Sequence, residues 1–260
     1  MATYLDKILA AHRTAAAADR RPLGELVEAA VAMPAGRAFR AALVRGAAHG
    51  LAVISEIKRR SPSKGDLNVG LDPDRLAATY EVAGASCLSV LTDEAFFGGS
   101  VTDLQAARNA TALPVIRKDF TVSERDVCDA RIMGADCLLL IAAALAPTEL
   151  VSFHRLARDL GLDVLVEIHD EVELEVAMAA GASLVGVNQR DLVTFQVDHE
   201  RAVRMASRIP DGVVKVAESG VRGPDDARSL REAGYHAILV GETLVTAPDP
   251  AATLRSLRTA

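Results

Sequence analysis

Three carboxylates and two lysines in this sequence stand where charge is costly. Glu56, Glu167 and Glu218 each fall at the end of a short apolar run, Lys118 closes another, and Lys58 follows Glu56 by two residues. If the runs are strands, alternation gives Glu56 and Lys58 a shared orientation, and Lys118 and Phe120 likewise. A buried charge is expensive unless it is paired, so a ring of them needs a reason. Acids and ammonium groups held together pass protons and stabilise charge that develops during a reaction, so acid–base catalysis is one reason. A structural ion-pair layer is the other, and placement alone leaves both open.

Further polar residues collect at the same ends. Ser61 lies in Arg59-Arg60-Ser61-Pro62-Ser63-Lys64-Gly65 after the first run, and Asn188-Gln189-Arg190-Asp191 follows the sixth. Ser219-Gly220 and Gly241-Glu242 follow the last two, where glycine turns suit backbone N–H groups that approach a phosphate. Phe96, Phe97, Phe120 and Phe195 fall just beyond run ends. They either stack on a flat ring or pack over the mouth of the fold. His169 is the one histidine that reads as near these residues, and no His, Cys and carboxylate spacing points to a metal site.

The elements that must position these side chains form a repeat. Eight aliphatic or β-branched runs occupy 51–57, 86–91, 113–118, 136–141, 163–168, 183–187, 213–218 and 236–240. Most are apolar at consecutive positions, as strands buried on both faces require. Helix-length segments separate them, with starts at Asp72-Pro73, Ser123-Glu124, Pro147-Thr148 and Gly223-Pro224. Gly84, Gly134, Gly181 and Gly234 close four of these segments, where a left-handed residue ends a helix before the next strand. Eight strands joined by helical crossovers predict an α/β fold, the (β/α)8 TIM barrel with extra N-terminal helices. An open doubly wound sheet fits less well, because no G-x-G-x-x-G follows Ile57.

With 260 residues, 50% of them hydrophobic, the chain is expected to form a single domain over 1–260. Residues 1–48 read as a helical extension broken by Pro22 and Pro34, and 49–260 as the barrel. A net charge of -6 with no basic stripe argues against nucleic acid. The longest apolar run, Cys137 to Ala146, is too short to span a bilayer, and the N-terminus lacks an apolar leader. Cys87, Cys128 and Cys137 form no C-x-x-C pair and read as small buried hydrophobes in a reducing compartment. The expected location is the cytoplasm, with no membrane and no nucleic-acid partner; monomer and weak dimer stay open.

The run Ser55-Glu56-Ile57-Lys58-Arg59-Arg60-Ser61-Pro62-Ser63-Lys64-Gly65 closely resembles the signature of the indole-3-glycerol phosphate synthases. In the same order follow Leu91-Thr92-Asp93-Glu94 with Phe96-Phe97-Gly98-Gly99-Ser100, and then Arg117-Lys118-Asp119-Phe120. Val166-Glu167-Ile168-His169, Gly186-Val187-Asn188-Gln189-Arg190-Asp191-Leu192 and Ala217-Glu218-Ser219-Gly220 complete the resemblance. It implies a phosphorylated anthranilate substrate, 1-(2-carboxyphenylamino)-1-deoxyribulose 5-phosphate, closed and decarboxylated to indole-3-glycerol phosphate without a cofactor or metal. It also implies a catalytic set of Glu56, Lys58, Lys118, Glu167, Asn188 and Glu218. Lys118 would be the acid of ring closure, Lys58 the acid that helps the hydroxyl leave, and Glu56 the base that restores aromaticity. Glu167 and Glu218 would orient the lysines, and the division of the base role between Glu56 and Glu167 stays open. Ser61, Phe120, Arg190, Ser219, Gly220, Gly241 and Glu242 are the implied substrate contacts, with Asn188 close by.

Two places depart from the commonest family pattern: Gln189 replaces a second Asn, and Leu244-Val245-Thr246 replaces Leu-Met-Arg. Another phosphate-binding barrel isomerase would lack the first signature. A non-catalytic metabolite-binding barrel would not need both lysines.

Overall fold

A computed structural model describes residues 3–191 and 193–260. Leu192, the last residue of the sixth-strand motif, and residues 1 and 2 lie outside the described residues. Eight strands follow in order: β1 Ala52–Ile57, β2 Cys87–Leu91, β3 Val115–Lys118, β4 Cys137–Ile141, β5 Asp163–Ile168, β6 Leu184–Asn188, β7 Val214–Glu218 and β8 Ala237–Val240. All pair in parallel with their neighbours, and β8 returns to β1 through Ala52↔Ala237, so the barrel is closed. The eight expected runs are these strands, most of them trimmed by a residue or two at their starts. The sixth also runs one residue further than expected, to Asn188.

Alternation sorts the strand residues. Ile54, Cys87, Ile116, Leu139, Leu165 and Val216 turn inward and form the barrel's own core. Val53, Leu88, Leu140, Val166 and Val187 turn outward into a second core shared with the helices. The free cysteines are all buried, two of them in the inner core. Burial pushes the Cys87 and Cys137 thiols well above the usual range, so they pack as inert small groups.

The helices that precede the barrel are α1 Tyr4–Ala18, α2 Leu23–Ala32 and α3 Phe39–Ala47. Between the strands and after them lie α4 Pro73–Ala83, α5 Glu94–Phe97, α6 Val101–Ala110, α7 Glu124–Ile132 and α8 Pro147–Asp159. The remainder are α9 Glu171–Ala179, α10 Arg201–Ala206, α11 Pro224–Glu232, α12 Glu242–Val245 and α13 Pro250–Arg258. Gly84, at φ 94°, ends α4 in the left-handed conformation that a side chain would oppose. A short antiparallel ribbon, Arg60–Ser61 with Gly65–Asp66, folds what reads in the sequence as a plain loop. Among the described residues no helix is long and apolar enough to cross a membrane.

The N-terminal helices work at both ends of the barrel. At the N-terminal ends of the strands, Phe39, Ala42 and Leu43 of α3 close the inner core. The Arg37 backbone N–H donates to Asp136 Oδ1 at 2.7 Å, and its guanidinium donates to the Leu113 carbonyl at 2.7 Å. Asp136 also accepts from the Val115 N–H at 2.9 Å and pairs with Arg108. Arg40 donates to the Ser183 and Gly212 carbonyls, both at 3.1 Å, and its N–H to Asp163 at 2.9 Å. At the opposite end α1 crosses the mouth, tied down by Arg13 on Glu149 at 2.6 Å and by His12 on Asp93 at 2.8 Å.

Candidate active site

The inward residue at the top of each odd strand is polar: Glu56 on β1, Lys118 on β3, Glu167 on β5 and Glu218 on β7. Barrel layers draw their side chains from alternate strands and normally use branched aliphatics. Here one such layer is made of three acids and a lysine. The acids are 1% to 3% exposed, and they form the floor of a cavity of about 510 Å³ at the C-terminal ends of the strands. That is the size of a small-molecule site.

Lys118 Nζ lies 3.0 Å from Glu167 Oε2 and 3.4 Å from Glu218 Oε2. Burial alone would depress its ammonium, but Glu167, Glu218 and Glu56 outweigh that and hold it charged above the usual lysine range. Two carboxylates that share one lysine cannot both be satisfied equally, and their surroundings separate them. Glu167 also accepts from Asn188 Nδ2 at 2.9 Å and has His169 nearby, so it stays ionised below the usual range despite its burial. Glu218 Oε1 is buried with no hydrogen-bond partner. Burial and the two neighbouring acids push Glu218 up to about 8 against the pull of Lys118. Of the two acids, Glu218 is therefore the one that holds a proton more readily. One acid kept neutral beside one kept ionised is how a site separates proton donor from acceptor.

A second pair stands beside the first. Lys58 Nζ is 2.5 Å from Glu56 Oε1, and the Ser89 hydroxyl donates to Glu56 Oε2 at 3.3 Å. Two glycines make room for these acids. A Cβ on Gly241 would collide with the Glu56 carboxylate, and one on Gly186 with that of Glu218. Sequence reasoning did not single out Gly186, although a lone glycine inside a strand signals a close approach.

The rim carries the remaining expected residues. Ser61, Phe120, Asn188, Arg190, Ser219, Gly220, Gly241 and Glu242 all line the same cavity. Ser219 and Gly220 both take left-handed backbone, at φ 65° and 75°. For the serine that is a strained conformation, of the kind that collects at functional sites. Arg190 donates to the Phe195 carbonyl at 3.1 Å, and its other nitrogen lies 3.9 Å from Glu242. Lys64 reaches the same carboxylate at 3.6 Å. The start of α12 thus sits between two cations.

The phenylalanines divide. Phe96 and Phe195 meet the Tyr4 ring edge-on at 6.0 and 5.5 Å, so both pack under α1. Phe97, Phe120 and Phe195 also face the cavity. The expectation that His169 alone lies near the site needs correction. His12, on α1, bonds Asp93 and lies 3.8 Å from Asp119, and His199 lines the cavity wall. Nothing in the spacing joins His12 to residues so distant in the chain; only the path of α1 does.

His12, Asp93 and Asp119 also have the mutual spacing of a metal-ligand set, which no sequence motif announced. Arg117 lies 3.0 Å from Asp119, so this group already balances its charge with a protein cation.

The sequence model of the family described as indole-3-glycerol phosphate synthase matches residues 5–257. The chain is 50% identical to a Streptomyces coelicolor protein named indole-3-glycerol phosphate synthase 2, over 91% of each chain. It is also 50% identical to the indole-3-glycerol phosphate synthase of Streptomyces griseus, over 92% of this chain and 87% of that one. A solved 3-hexulose-6-phosphate synthase superposes with a TM-score of 0.65 at 17% identity, covering 81% of this chain and 100% of its own. The thiamine phosphate pyrophosphorylase of Pyrococcus furiosus does so at 0.60, with 17% identity, over 82% and 96%. These two share the barrel fold.

Proposed function

The chain belongs to the indole-3-glycerol phosphate synthase family, and on that premise we propose how its own residues divide the reaction. The substrate is 1-(2-carboxyphenylamino)-1-deoxyribulose 5-phosphate, its phosphate on the Ser219–Gly220 turn and Gly241, and its aromatic ring near Phe120. The ring carbon that bears the carboxylate attacks the ribulose carbonyl carbon, and Lys118 protonates the oxygen as it becomes a hydroxyl. The positive charge moves from the ammonium to the substrate nitrogen, within the field of the same carboxylates. Those acids raise the proton affinity of Lys118 in the free site, and they stabilise the cation once it forms on the substrate. Loss of carbon dioxide returns an electron pair to the ring. Lys58 then protonates the departing hydroxyl, and Glu56 takes the neighbouring C–H proton to complete the indole.

The observation that carries this reading is Lys118 Nζ held 3.0 Å from Glu167 and 3.4 Å from Glu218 on the cavity floor. In it Glu218 is placed to return a proton to Lys118 after each turnover. Residues 1–48 serve as lid and plug of one domain with the barrel, 49–260, and the setting is the cytoplasm.

The test follows two products at once. The chain has no Trp, so the indole fluorophore can be read without protein tryptophan background. Wild-type protein should release one carbon dioxide for each indole formed. Lys58→Met should release carbon dioxide while indole formation lags, because closure precedes loss of the hydroxyl. If both products are lost together in Lys58→Met, Lys58 acts in closure rather than in departure of the hydroxyl.

A further inference from the structure

The proposed reaction leaves His169 without a role, yet it stands directly behind Glu167. It follows that residue by two, so alternation turns its ring to the same side of the chain. Glu173, in the first turn of α9, grips it twice. Glu173 Oε2 accepts the His169 backbone N–H at 2.7 Å and lies 3.0 Å from Nδ1. Opposite an ionised carboxylate, Nδ1 must carry its hydrogen. The other nitrogen, Nε2, is buried without a hydrogen-bond partner and lies 3.9 Å from Glu167 Oε1. In the neutral ring that nitrogen would present a bare lone pair to a carboxylate. A second proton removes the conflict and leaves an imidazolium between two anions.

We infer that His169 is a positioning residue: braced by Glu173, its imidazolium holds Glu167 ionised and aimed at Lys118, which leaves Glu218 as the acid that holds a proton more readily. This role rests on the proposed assignment of Lys118 and Glu167. The groups that face the ring are Glu167 on β5, Glu173 on α9 and Arg201 on α10. Burial, and more weakly Arg201, oppose its charge; the two carboxylates outweigh them and raise the ring above the ordinary histidine value. The charge is thus present below that raised pKa and lost as pH climbs through it. Wild-type kcat should carry an alkaline limb at the same point.

Ring NMR of the full chain without substrate, together with kcat across pH, reads both halves. His169 should titrate above the ordinary value of about 6.5. Glu173→Gln removes the brace, and should move that titration and the alkaline limb of kcat down together. His169→Gln should lower kcat about 10- to 100-fold with KM unchanged, the worth of one charged contact to a buried carboxylate, and remove the part of the limb that Glu173→Gln shifts. A ring that titrates below the ordinary value overturns the inference. So does a His169→Gln protein that keeps both its limb and its rate. If His169→Gln does not fold, the NMR titration and Glu173→Gln still decide. Because the titration needs no substrate, it separates failure of this role from failure of the Lys118 assignment.

Discussion

At the N-terminal end of the barrel, Arg37, Arg40, Asp136 and Asp163 bond mainly to backbone groups. At the C-terminal end, Glu56, Lys58, Lys118, Glu167 and Glu218 bond mainly to one another around a cavity. Both ends use acids and bases, so residue type does not explain the difference in use. What differs is the partner. A peptide group does not titrate, so a charge it satisfies is fixed and holds elements together. A charge satisfied only by other titratable groups has a choice of protonation states, and that choice is what a reaction draws on. The buried, unpartnered Glu218 Oε1 has no counterpart among the acids of the opposite end.

Each end can be broken separately. Outside the site the largest effect is expected at Asp136, which is 1% exposed and serves two backbone N–H groups and Arg108. Asp136→Ala should cost about 3–5 kcal/mol in urea unfolding, the usual loss when one partner of a buried pair is removed, with kcat of the folded fraction unchanged. A fall in kcat as large as the fall in stability would erase the division between the two ends.

Glu218→Gln should sharpen it through pH. The Glu218 carboxyl is pushed up to about 8 in the fold, so between the ordinary glutamate value and that point the folded protein holds a proton the unfolded chain has released. Wild-type stability should therefore fall with rising pH across that window, by up to ~1.4 kcal/mol per pH unit from this group. Glu218→Gln should lack that component and gain on wild type as pH rises from about 5 to about 8. Parallel stability curves for the two proteins would mean that Glu218 is ionised throughout.

Arg190→Leu should raise KM about 10- to 100-fold and leave kcat nearly intact, as expected for a charged contact made equally in ground and transition states. A kcat collapse at constant KM would move Arg190 into the chemistry. The smallest effect is expected at His12, whose bond to Asp93 pins α1 at the mouth. His12→Gln should loosen α1 by about 1 kcal/mol, seen as faster amide exchange over Tyr4–Ala18 with little change in global stability.

The barrel was legible in the sequence because its signals are local. Apolar runs of strand length, left-handed glycines such as Gly84 and Gly234, and Pro at helix starts each act within a few residues. The acidic layer was legible for the same reason: Glu56, Lys118, Glu167 and Glu218 stand out against apolar runs, and the barrel brings strand ends together. What could not be read depends on how distant elements cross. The pairing of His12 with Asp93 and the plug of Phe39 and Leu43 are set by helix positions that no spacing encodes. The separation of Glu167 from Glu218 was equally hidden. It turns on His169 and on the Asn188 amide, which reach the first acid and not the second.

The most direct test is the rate of Lys118→Met at full fold. Methionine keeps much of the side chain's volume and removes the ammonium. Glu167 retains Asn188 as a partner, and Glu218 is already inclined to hold a proton, so the layer can stay folded without its lysine. The thermal midpoint should stay close to wild type while kcat falls about 10²–10⁴-fold, the range for loss of one positioned acid. Neither carbon dioxide nor indole should appear at the wild-type rate. If a folded Lys118→Met keeps more than about a tenth of wild-type kcat, Lys118 is not the acid of ring closure.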